Sequence, residues 1–344
     1  MKNNHSDTQI LPPDLITEIF LRLPVKSLLR LKCVCKSWLF QISDPQFGVS
    51  HFDLAASPSH RLLLSSNYSC FPSIDIDAAL SVPLLFRLPT PPNEIQPAPG
   101  IVGSCRGFVL LYYAPTGDFI LWNPSTGVHK RLSRFQYWLT LDFLYGFGYD
   151  VSTDDYLIIL IKCRRYCKTE IQVYSFKTNS RNTICIDVPY DPMDFQLRAG
   201  CLFNGTLHWL VFSQDSKVHV IIAFDLIQRS LSEIPLFKSL SEIPLFKEPR
   251  ERLSLREMGG CLGVCCMSLR RAETEIWVMK EYKMQSSWTK SVVISTHRFP
   301  CNLFYPICIT KDGGILGSNF RNCLEKLNDK GERLEHLTFH SSQS

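Results

Sequence analysis

The chain has 344 residues, of which 45% are hydrophobic and 20% are charged. This length and composition indicate a globular protein of one or two compact units with ample apolar material for a large core. The formal net charge of +5 comes from lysines and arginines that are spread along the chain, so the sequence does not indicate nucleic-acid binding.

Targeting and membrane signals are weak throughout. Residues 1–9, MKNNHSDTQ, are polar and lack the apolar segment of a signal peptide, and aliphatic runs such as LIILI at 157–161 are too short to cross a bilayer. We therefore expect a soluble protein with no membrane partner, located in the cytoplasm, the nucleus or both. The 14 cysteines are then expected to be reduced, and their position inside apolar runs predicts that they are buried.

Residues 11–45 predict three short helices. Pro12 and Pro13 suit a first helical turn, Asp14 suits the positive end of the helix dipole, and Pro24 ends this helix and can begin the next. Of the 32 residues from 11 to 42, 18 are apolar. Three such helices cannot bury that many side chains among themselves, so the surplus should meet either the rest of the chain or a second protein. The apolar positions are Leu15, Ile16, Ile19, Phe20 and Leu23 in the first helix, Val25, Leu28 and Leu31 in the second, and Val34, Trp38, Leu39 and Ile42 in the third.

The rest of the chain is predicted to be β structure. From residue 46 the sequence reads as irregular, and residues 51–100 are assigned to a linker and a first β unit because they contain many prolines. From residue 101 to about 340, short runs rich in Val, Ile, Tyr, Phe and Trp are separated by turn residues, which is typical of strands.

A repeated pattern within the β region indicates a β-propeller. The copies LWNPSTGVHKRL (121–132), VYSFKTNSRNTI (173–184) and AFDLIQRSLSEI (223–234) each open with an apolar–aromatic pair and cross a polar turn. Looser copies start at residues 276 and 324, and glycine-containing strand starts precede the copies. A period of roughly 45 to 60 residues is typical of propeller blades, of which we count about six. A β-sandwich is the alternative, although it lacks such a period.

One segment is duplicated. SLSEIPLFK occurs at residues 230–238 and again at 239–247. We expect one copy to supply the closing strand of its blade and the other to be looped out, either as a neutral insertion or as a lengthened partner-binding loop.

Metal and catalytic motifs are weak. CRRYC at 163–167 and CLGVCC at 261–266 lack the spacing of zinc knuckles, and His208 lies in a predicted strand. GFG at 146–148 is interpreted as a turn rather than a phosphate loop, and the aspartates of GYDVSTDDY at 148–156 as turn formers rather than a calcium loop. The sequence therefore predicts no metal, no cofactor and no catalytic residue, with a ligand-binding propeller as an alternative function.

Two regions resemble a known family. Residues 11–47, LPPDLITEIFLRLPVKSLLRLKCVCKSWLFQISDPQF, resemble an F-box of the form common in plants, with its Leu-Pro opening, its RLPVKSLLR centre and its CVCKSW close. The β region resembles the plant F-box-associated domain through GSCRGFVLL, LWNPSTG, YGFGYDVSTDDY, VYSFKTNS, NGTLHWL, IIAFDL and EIWVMKEY, in that order. The family includes kelch-like members and S-locus proteins of self-incompatibility, and these motifs do not distinguish the branches.

The resemblance implies an α+β arrangement, in which a three-helix F-box at residues 10–50 precedes an all-β, kelch-like propeller of about six blades at 101–340. It implies a non-catalytic substrate receptor of a Skp–cullin–F-box E3 ubiquitin ligase. The partners would be a Skp-type adaptor, through it a cullin and a RING subunit, and an unidentified protein target. Carried over by motif, the adaptor-binding residues are Leu11, Pro12, Leu15, Ile16, Ile19, Leu23, Pro24, Leu28, Leu31, Val34 and Trp38.

Some roles stay open at this stage. Ile19, Leu31 and Trp38 could equally form the core of the three helices. The basic residues at 22, 26 and 30 recur every four positions and form either a solvated face or a strip that steers an acidic adaptor. An adaptor-bound scaffold that acts without ubiquitin transfer is the alternative to a ligase receptor.

Target recognition is expected in the loops of the propeller. Interfaces are rich in aromatic and arginine side chains, so loop positions of these types are the candidates. They are Tyr137, Trp138, Arg164, Arg165 and Tyr166.

Overall fold

The computed structural model of the chain describes residues 11–54, 61–64, 70–77, 80, 84–87, 99–113, 115–132, 143–163, 168–187, 189–192, 198–237, 251–319 and 323–338. The chain divides into two compact units: one contains the N-terminal helices and also the turn Asn123–Val128, and the other contains the rest of the β-rich region. No helix in the described residues is long and apolar enough to span a membrane.

The described residues of the helical unit form four helices. They are α1 (Pro13–Arg22), α2 (Val25–Leu31), α3 (Lys36–Ser43) and α4 (Pro45–Leu54). Prolines start the first two as expected, because Pro12 and Pro24 occupy the N-cap positions. The fourth helix was missed, since residues from 46 onward were assigned to irregular structure. Its start signal was present: the side chain of Asp44 accepts a hydrogen bond from the backbone N–H of Gln46, at 2.7 Å.

The fourth helix completes the core of this unit. Phe47 of α4 is buried in a cluster with Phe20, Leu21, Leu28 and Ile42. The ring of Trp38 meets Phe20 edge-on, with centroids 5.1 Å apart. The unit therefore has a small apolar core of its own.

The β unit consists of six antiparallel sheets in the described residues. Blade 1 contains β1 (Arg61–Leu63), β2 (Cys70–Asp75) and β3 (Leu84–Arg87); blade 2 contains β4 (Gly100–Cys105), β5 (Phe108–Tyr113), β6 (Asp118–Trp122) and β7 (His129–Leu132); blade 3 contains β8 (Phe143–Asp150), β9 (Asp155–Lys162), β10 (Thr169–Ser175) and β11 (Ser180–Ile186); blade 4 contains β12 (Tyr190–Pro192), β13 (Cys201–Phe203), β14 (Thr206–Ser213), β15 (His219–Asp225) and β16 (Leu231–Pro235); blade 5 contains β17 (Glu251–Met258), β18 (Cys261–Ser268), β19 (Glu273–Met279) and β20 (Trp288–Ser295); and blade 6 contains β21 (Tyr305–Ile309), β22 (Ile315–Asn319), β23 (Cys323–Leu327) and β24 (Arg333–Thr338).

Each blade packs face to face on the next, and an apolar cluster fills every boundary. The clusters include Phe71 and Trp122 for blades 1 and 2, Phe119 and Phe147 for blades 2 and 3, Ile159 and Trp209 for blades 3 and 4, Ile221 and Leu255 for blades 4 and 5, Met258 and Phe304 for blades 5 and 6, and Ile74 and Leu316 for blades 6 and 1. The last boundary closes the ring. The unit is thus a six-bladed β-propeller, which confirms the predicted architecture and rules out the sandwich.

The sequence repeat corresponds to the outer hairpin of a blade. The three close copies form β6–β7, β10–β11 and β15–β16. In the first, the side chain of Asn123 accepts hydrogen bonds from the backbone N–H groups of Ser125 and Thr126. Asp225 does the same for the N–H groups two and three residues further on. In these two copies a short polar side chain at the end of the strand that precedes the turn therefore sets the turn.

The first copy of the duplicated segment supplies a blade-closing strand, as expected. Leu231–Pro235 forms β16 and pairs with β15. The second copy lies outside the described residues.

The interpretation of GFG as a turn is wrong. Gly146 and Gly148 lie inside β8, the first strand of blade 3. A Cβ on Gly146 would stand 2.8 Å from side-chain atoms of both Leu207 and Trp209 in blade 4. Glycine is needed because the next blade packs directly onto this strand.

Substituting alanine for Gly146 should destabilise the propeller. Leu207 and Trp209 are almost fully buried, so an added methyl group would overpack this boundary. We expect a loss of about 1–3 kcal/mol in the free energy of unfolding, measured by urea denaturation. Gly100→Ala is the matched control in another first strand, because nothing lies within 4 Å of its added Cβ. Equal losses in both variants would contradict the packing argument.

A histidine is buried between blades 4 and 5. His208 on β14 has no exposed surface, and its Nε2 lies 2.7 Å from the hydroxyl oxygen of Tyr282. Its Nδ1 lies 3.2 Å from the carbonyl oxygen of Cys201. Burial, with a smaller effect of the nearby Lys283 charge, lowers the pKa of His208 from 6.5 to about 4. The ring is therefore neutral near pH 7. His208 is a strand residue with a structural role, as the sequence predicts.

This histidine should make the fold sensitive to acid. The pKa of His208 is lower in the folded state than in the unfolded state. Its contribution to the free energy of unfolding is therefore fully present above about pH 6.5 and is lost as the pH falls toward 4. We expect the His208 contribution to fall by about 2 kcal/mol between pH 7 and pH 5. The check is urea denaturation at both pH values, with His208→Gln losing less on acidification. The idea fails if the native chain and the variant show the same pH dependence.

Candidate functional site

An apolar stripe on α1 faces solvent. Leu15 and Ile19 are four residues apart on one side of the helix and are 51% and 46% exposed, and Leu11 just before the helix is 52% exposed. The opposite side of the same helix carries Phe20 and Leu21 into the core. The helix is thus apolar on both sides. Packing against the core of the helical unit requires apolar side chains on one side only.

The 11 predicted adaptor-binding residues divide into two groups. Those exposed to solvent are Leu11, Pro12, Leu15, Ile19, Pro24 and Val34; those that form or pack against the core of the helical unit are Ile16, Leu23, Leu28, Leu31 and Trp38. Of the three residues whose role was open, Leu31 and Trp38 contribute to the core, whereas Ile19 faces solvent. The adaptor-binding role of the whole set stays a prediction.

Charged residues flank the stripe. Glu18 and Arg22 form an ion pair on α1, with nitrogen and oxygen 2.7 Å apart. The next two basic positions, Lys26 and Arg30, are exposed on α2. Surface pairs of this kind contribute little to stability, and a role of the basic positions in steering an acidic adaptor stays a prediction.

Sequence reasoning missed one prominent exposed aromatic ring. Phe40 on α3 is 73% exposed, and its neighbour Leu39, assigned to the apolar side of the helix, is 42% exposed. The pattern could have indicated this, because Phe40 lies two residues from both Trp38 and Ile42. Two residues correspond to about 200° of rotation, which is the far side of the helix.

Among the cysteines that the structure describes, the expectation of burial holds only in part. Cys163, Cys265 and Cys323 are buried, whereas four others are exposed. Exposed thiols are found at Cys33, Cys35, Cys185 and Cys301. Cys185 lies in the apolar run TICID, but this run forms β11, the outermost strand of blade 3, where alternate side chains face solvent.

The acidic group after β8 is part of the turn and ion-pair structure of the propeller. The side chain of Asp150 accepts hydrogen bonds from the backbone N–H and the hydroxyl of Ser152. It also pairs with Arg229 of blade 4, with nitrogen and oxygen 2.5 Å apart. These hydrogen bonds hold the pKa of Asp150 below its usual value despite burial. Among the described residues, no group of three or more His, Cys, Asp or Glu side chains is arranged to hold a metal ion.

All five candidate target-binding residues lie outside the described residues. Tyr137 and Trp138 fall between β7 and β8, and residues 164–166 fall between β9 and β10. Their role in target binding stays a prediction.

Comparison with known proteins identifies the family. A model of the F-box domain matches residues 9–50, and a model of the F-box associated beta propeller domain matches residues 61–316. The F-box/kelch-repeat protein At3g23880 of Arabidopsis thaliana is 30% identical over 83% of this chain and 79% of its own length. The F-box protein CPR1 of the same plant is 26% identical over 88% of this chain and 78% of its own length. The chain therefore belongs to the F-box proteins that carry an F-box associated β-propeller domain.

Proposed function

We propose that this chain is the substrate-recognition subunit of a Skp–cullin–F-box E3 ubiquitin ligase. The observation that carries the proposal is the exposed apolar stripe of Leu11, Leu15 and Ile19 on a helical unit that already has its own core. An apolar surface of this kind is best explained by a partner that covers it. The F-box family supports a Skp-type adaptor as that partner.

The mechanism is one of proximity, with no chemistry on this chain. The F-box would bind the adaptor and, through it, the cullin and the RING subunit, while the propeller would hold a protein target. Tethering raises the local concentration of target lysines near the charged conjugating enzyme. We propose the cytoplasm, the nucleus or both as the site of this activity.

The propeller is suited to target binding because its blades form a packed scaffold whose connecting loops can differ in sequence without loss of the fold. Blades 3 and 4 pack together through buried side chains such as Trp209 and Phe224. Loops on such a scaffold can change in sequence without loss of the fold. We therefore place target recognition in the inter-strand loops, including the two that carry the candidate residues.

Adaptor binding tests the F-box half of the proposal. Changing Leu11 and Pro12 together to alanine should weaken binding of purified Skp-type adaptor by on the order of 2 kcal/mol, because both side chains are exposed and would become buried in the complex. Isothermal titration calorimetry on the full chain gives the affinity. Neither residue belongs to the apolar core of the helical unit, and Pro12 caps α1 only through its backbone carbonyl oxygen, which alanine also provides, so the fold should be unchanged.

Leu84 and Leu85 provide a matched control. They are 59% and 62% exposed on β3 of the propeller, and changing both to alanine removes similar apolar surface. This variant should bind the adaptor as the native chain does. If the native chain folds but does not bind the adaptor, the receptor proposal fails.

Target lifetime separates a ligase receptor from a scaffold. Once a bound target is identified, a ligase receptor should shorten its half-life in cells, and the Leu11/Pro12 variant should restore it. A half-life that is the same with the native chain and with the variant would favour an adaptor-bound scaffold instead.

A further inference from the structure

Two exposed thiols lie in the helical unit. They belong neither to its apolar core nor to the predicted adaptor-binding residues. Cys33 and Cys35 lie in the turn between α2 and α3, one on each side of Val34. Both are free and exposed, and Val34 between them is 61% exposed. The Sγ atom of Cys33 has a weak contact at 3.9 Å with the carbonyl oxygen of Leu29. Both thiols are therefore accessible to reagents in solution.

Most other described thiols are protected. Burial raises the pKa of Cys265 and of Cys201 to about 12, which keeps them protonated and unreactive. The other exposed thiols, Cys185 and Cys301, lie far apart in sequence in blade 3 and after blade 5. Cys33 and Cys35 form the one exposed pair within a few residues among the cysteines that the structure describes.

The chain around this pair is strongly basic. Five basic residues and no acidic residue occur between positions 19 and 43; Arg22 is paired with Glu18, which leaves Lys26, Arg30, Lys32 and Lys36 as the other positive charges of this stretch. Lys36 follows Cys35 directly, and Lys32 precedes Cys33 directly. A positive surface attracts anionic reagents and raises their local concentration.

We propose that Cys33 and Cys35 are a modification site that reacts with an anionic low-molecular-weight disulfide of the glutathione type, and that the adduct prevents adaptor docking. The regulatory half rests on the proposed function. The site would make assembly of the ligase sensitive to the thiol–disulfide balance of its surroundings.

The chemistry is thiol–disulfide exchange. The sulfur of Cys33 or Cys35, as thiolate, attacks one sulfur of oxidised glutathione; the disulfide of the reagent breaks and a protein–glutathione disulfide forms. The released glutathione thiolate takes up the proton that the protein thiol lost. One protein thiol is oxidised while one half of the reagent is reduced, so no further oxidant is needed. Excess reduced thiol reverses the step.

The adduct should act on docking rather than on the fold. Both thiols already face solvent, so a bulky group on them does not disturb the core. The added tripeptide carries charges next to Val34, which is a predicted contact. Burying those charges against a partner is costly, so we expect the adaptor affinity to fall at least about tenfold.

The test uses the purified full chain, fully reduced and then treated with oxidised glutathione. Peptide mapping by mass spectrometry locates the adducts, and calorimetry gives the adaptor affinity before treatment, after treatment and after dithiothreitol. The variant Cys33→Ser/Cys35→Ser is compared with Cys185→Ser/Cys301→Ser, which removes two exposed thiols from the propeller. We expect a reversible loss of affinity in the native chain and in the propeller variant, and none in the Cys33/Cys35 variant.

Different failures have different meanings. Absence of adducts at Cys33 and Cys35, when Cys185 or Cys301 is modified, would overturn the proposed site. An adduct that leaves the adaptor affinity unchanged would overturn the regulatory role. If the reduced chain does not bind the adaptor at all, the proposed function fails and the regulatory role with it, whereas the adduct map still decides whether the pair is a modification site.

Discussion

Burial of both faces of every sheet is the constraint on which the propeller depends. In β9 the run LIILI is buried along its whole length, because Ile158 and Leu160 pack toward blade 2 while Leu157, Ile159 and Ile161 pack toward blade 4. A sheet of this kind cannot be stable with only one neighbour, since the other apolar face would meet water. A row of such sheets has two unburied ends, and closing the row into a ring removes both.

Strand β2 closes that ring. Phe71 packs toward blade 2, and Ile74, three residues later on the other face, packs toward blade 6. Polar contacts join the same boundary: Lys311 pairs with Asp77 at 3.0 Å, and the carboxylate of Glu335 accepts a hydrogen bond from the backbone N–H of Leu80 at 2.5 Å. The apolar side chains provide the driving force, and the directional polar contacts define how the first and last blades meet.

The helical unit uses its apolar residues differently. Its four helices bury a small core, and the rest of the apolar surface on α1 and in the turn before α3 remains in contact with solvent. The propeller fills every blade boundary with buried apolar side chains, although single leucines such as Leu84 and Leu85 are exposed, whereas the helical unit exposes an apolar stripe beside its own core. The thiol pair beside Val34 lies in the exposed part, which is why its chemistry could influence docking without affecting folding.

Much of the architecture follows from local signals. The prolines indicated where α1 and α2 begin. The period of the polar turns predicted about six blades, which is the number observed. The fourth helix was not foreseen, because its sequence combines Gly48 with a weak apolar pattern and its main signal is the cap at Asp44. The glycines of GFG were mistaken for a turn, since only a neighbouring blade shows why a strand needs them.

The candidate site shows the same division. The sequence by itself determined that the first helices carry more apolar side chains than they can bury, because that conclusion needs only composition and helix geometry. It could not assign Ile19 to the surface and Trp38 to the core, since both are apolar and lie on predicted apolar faces. Only the tertiary structure decided this, because a side chain is buried by the elements that pack on it, and here these include α4, which sequence reasoning did not provide.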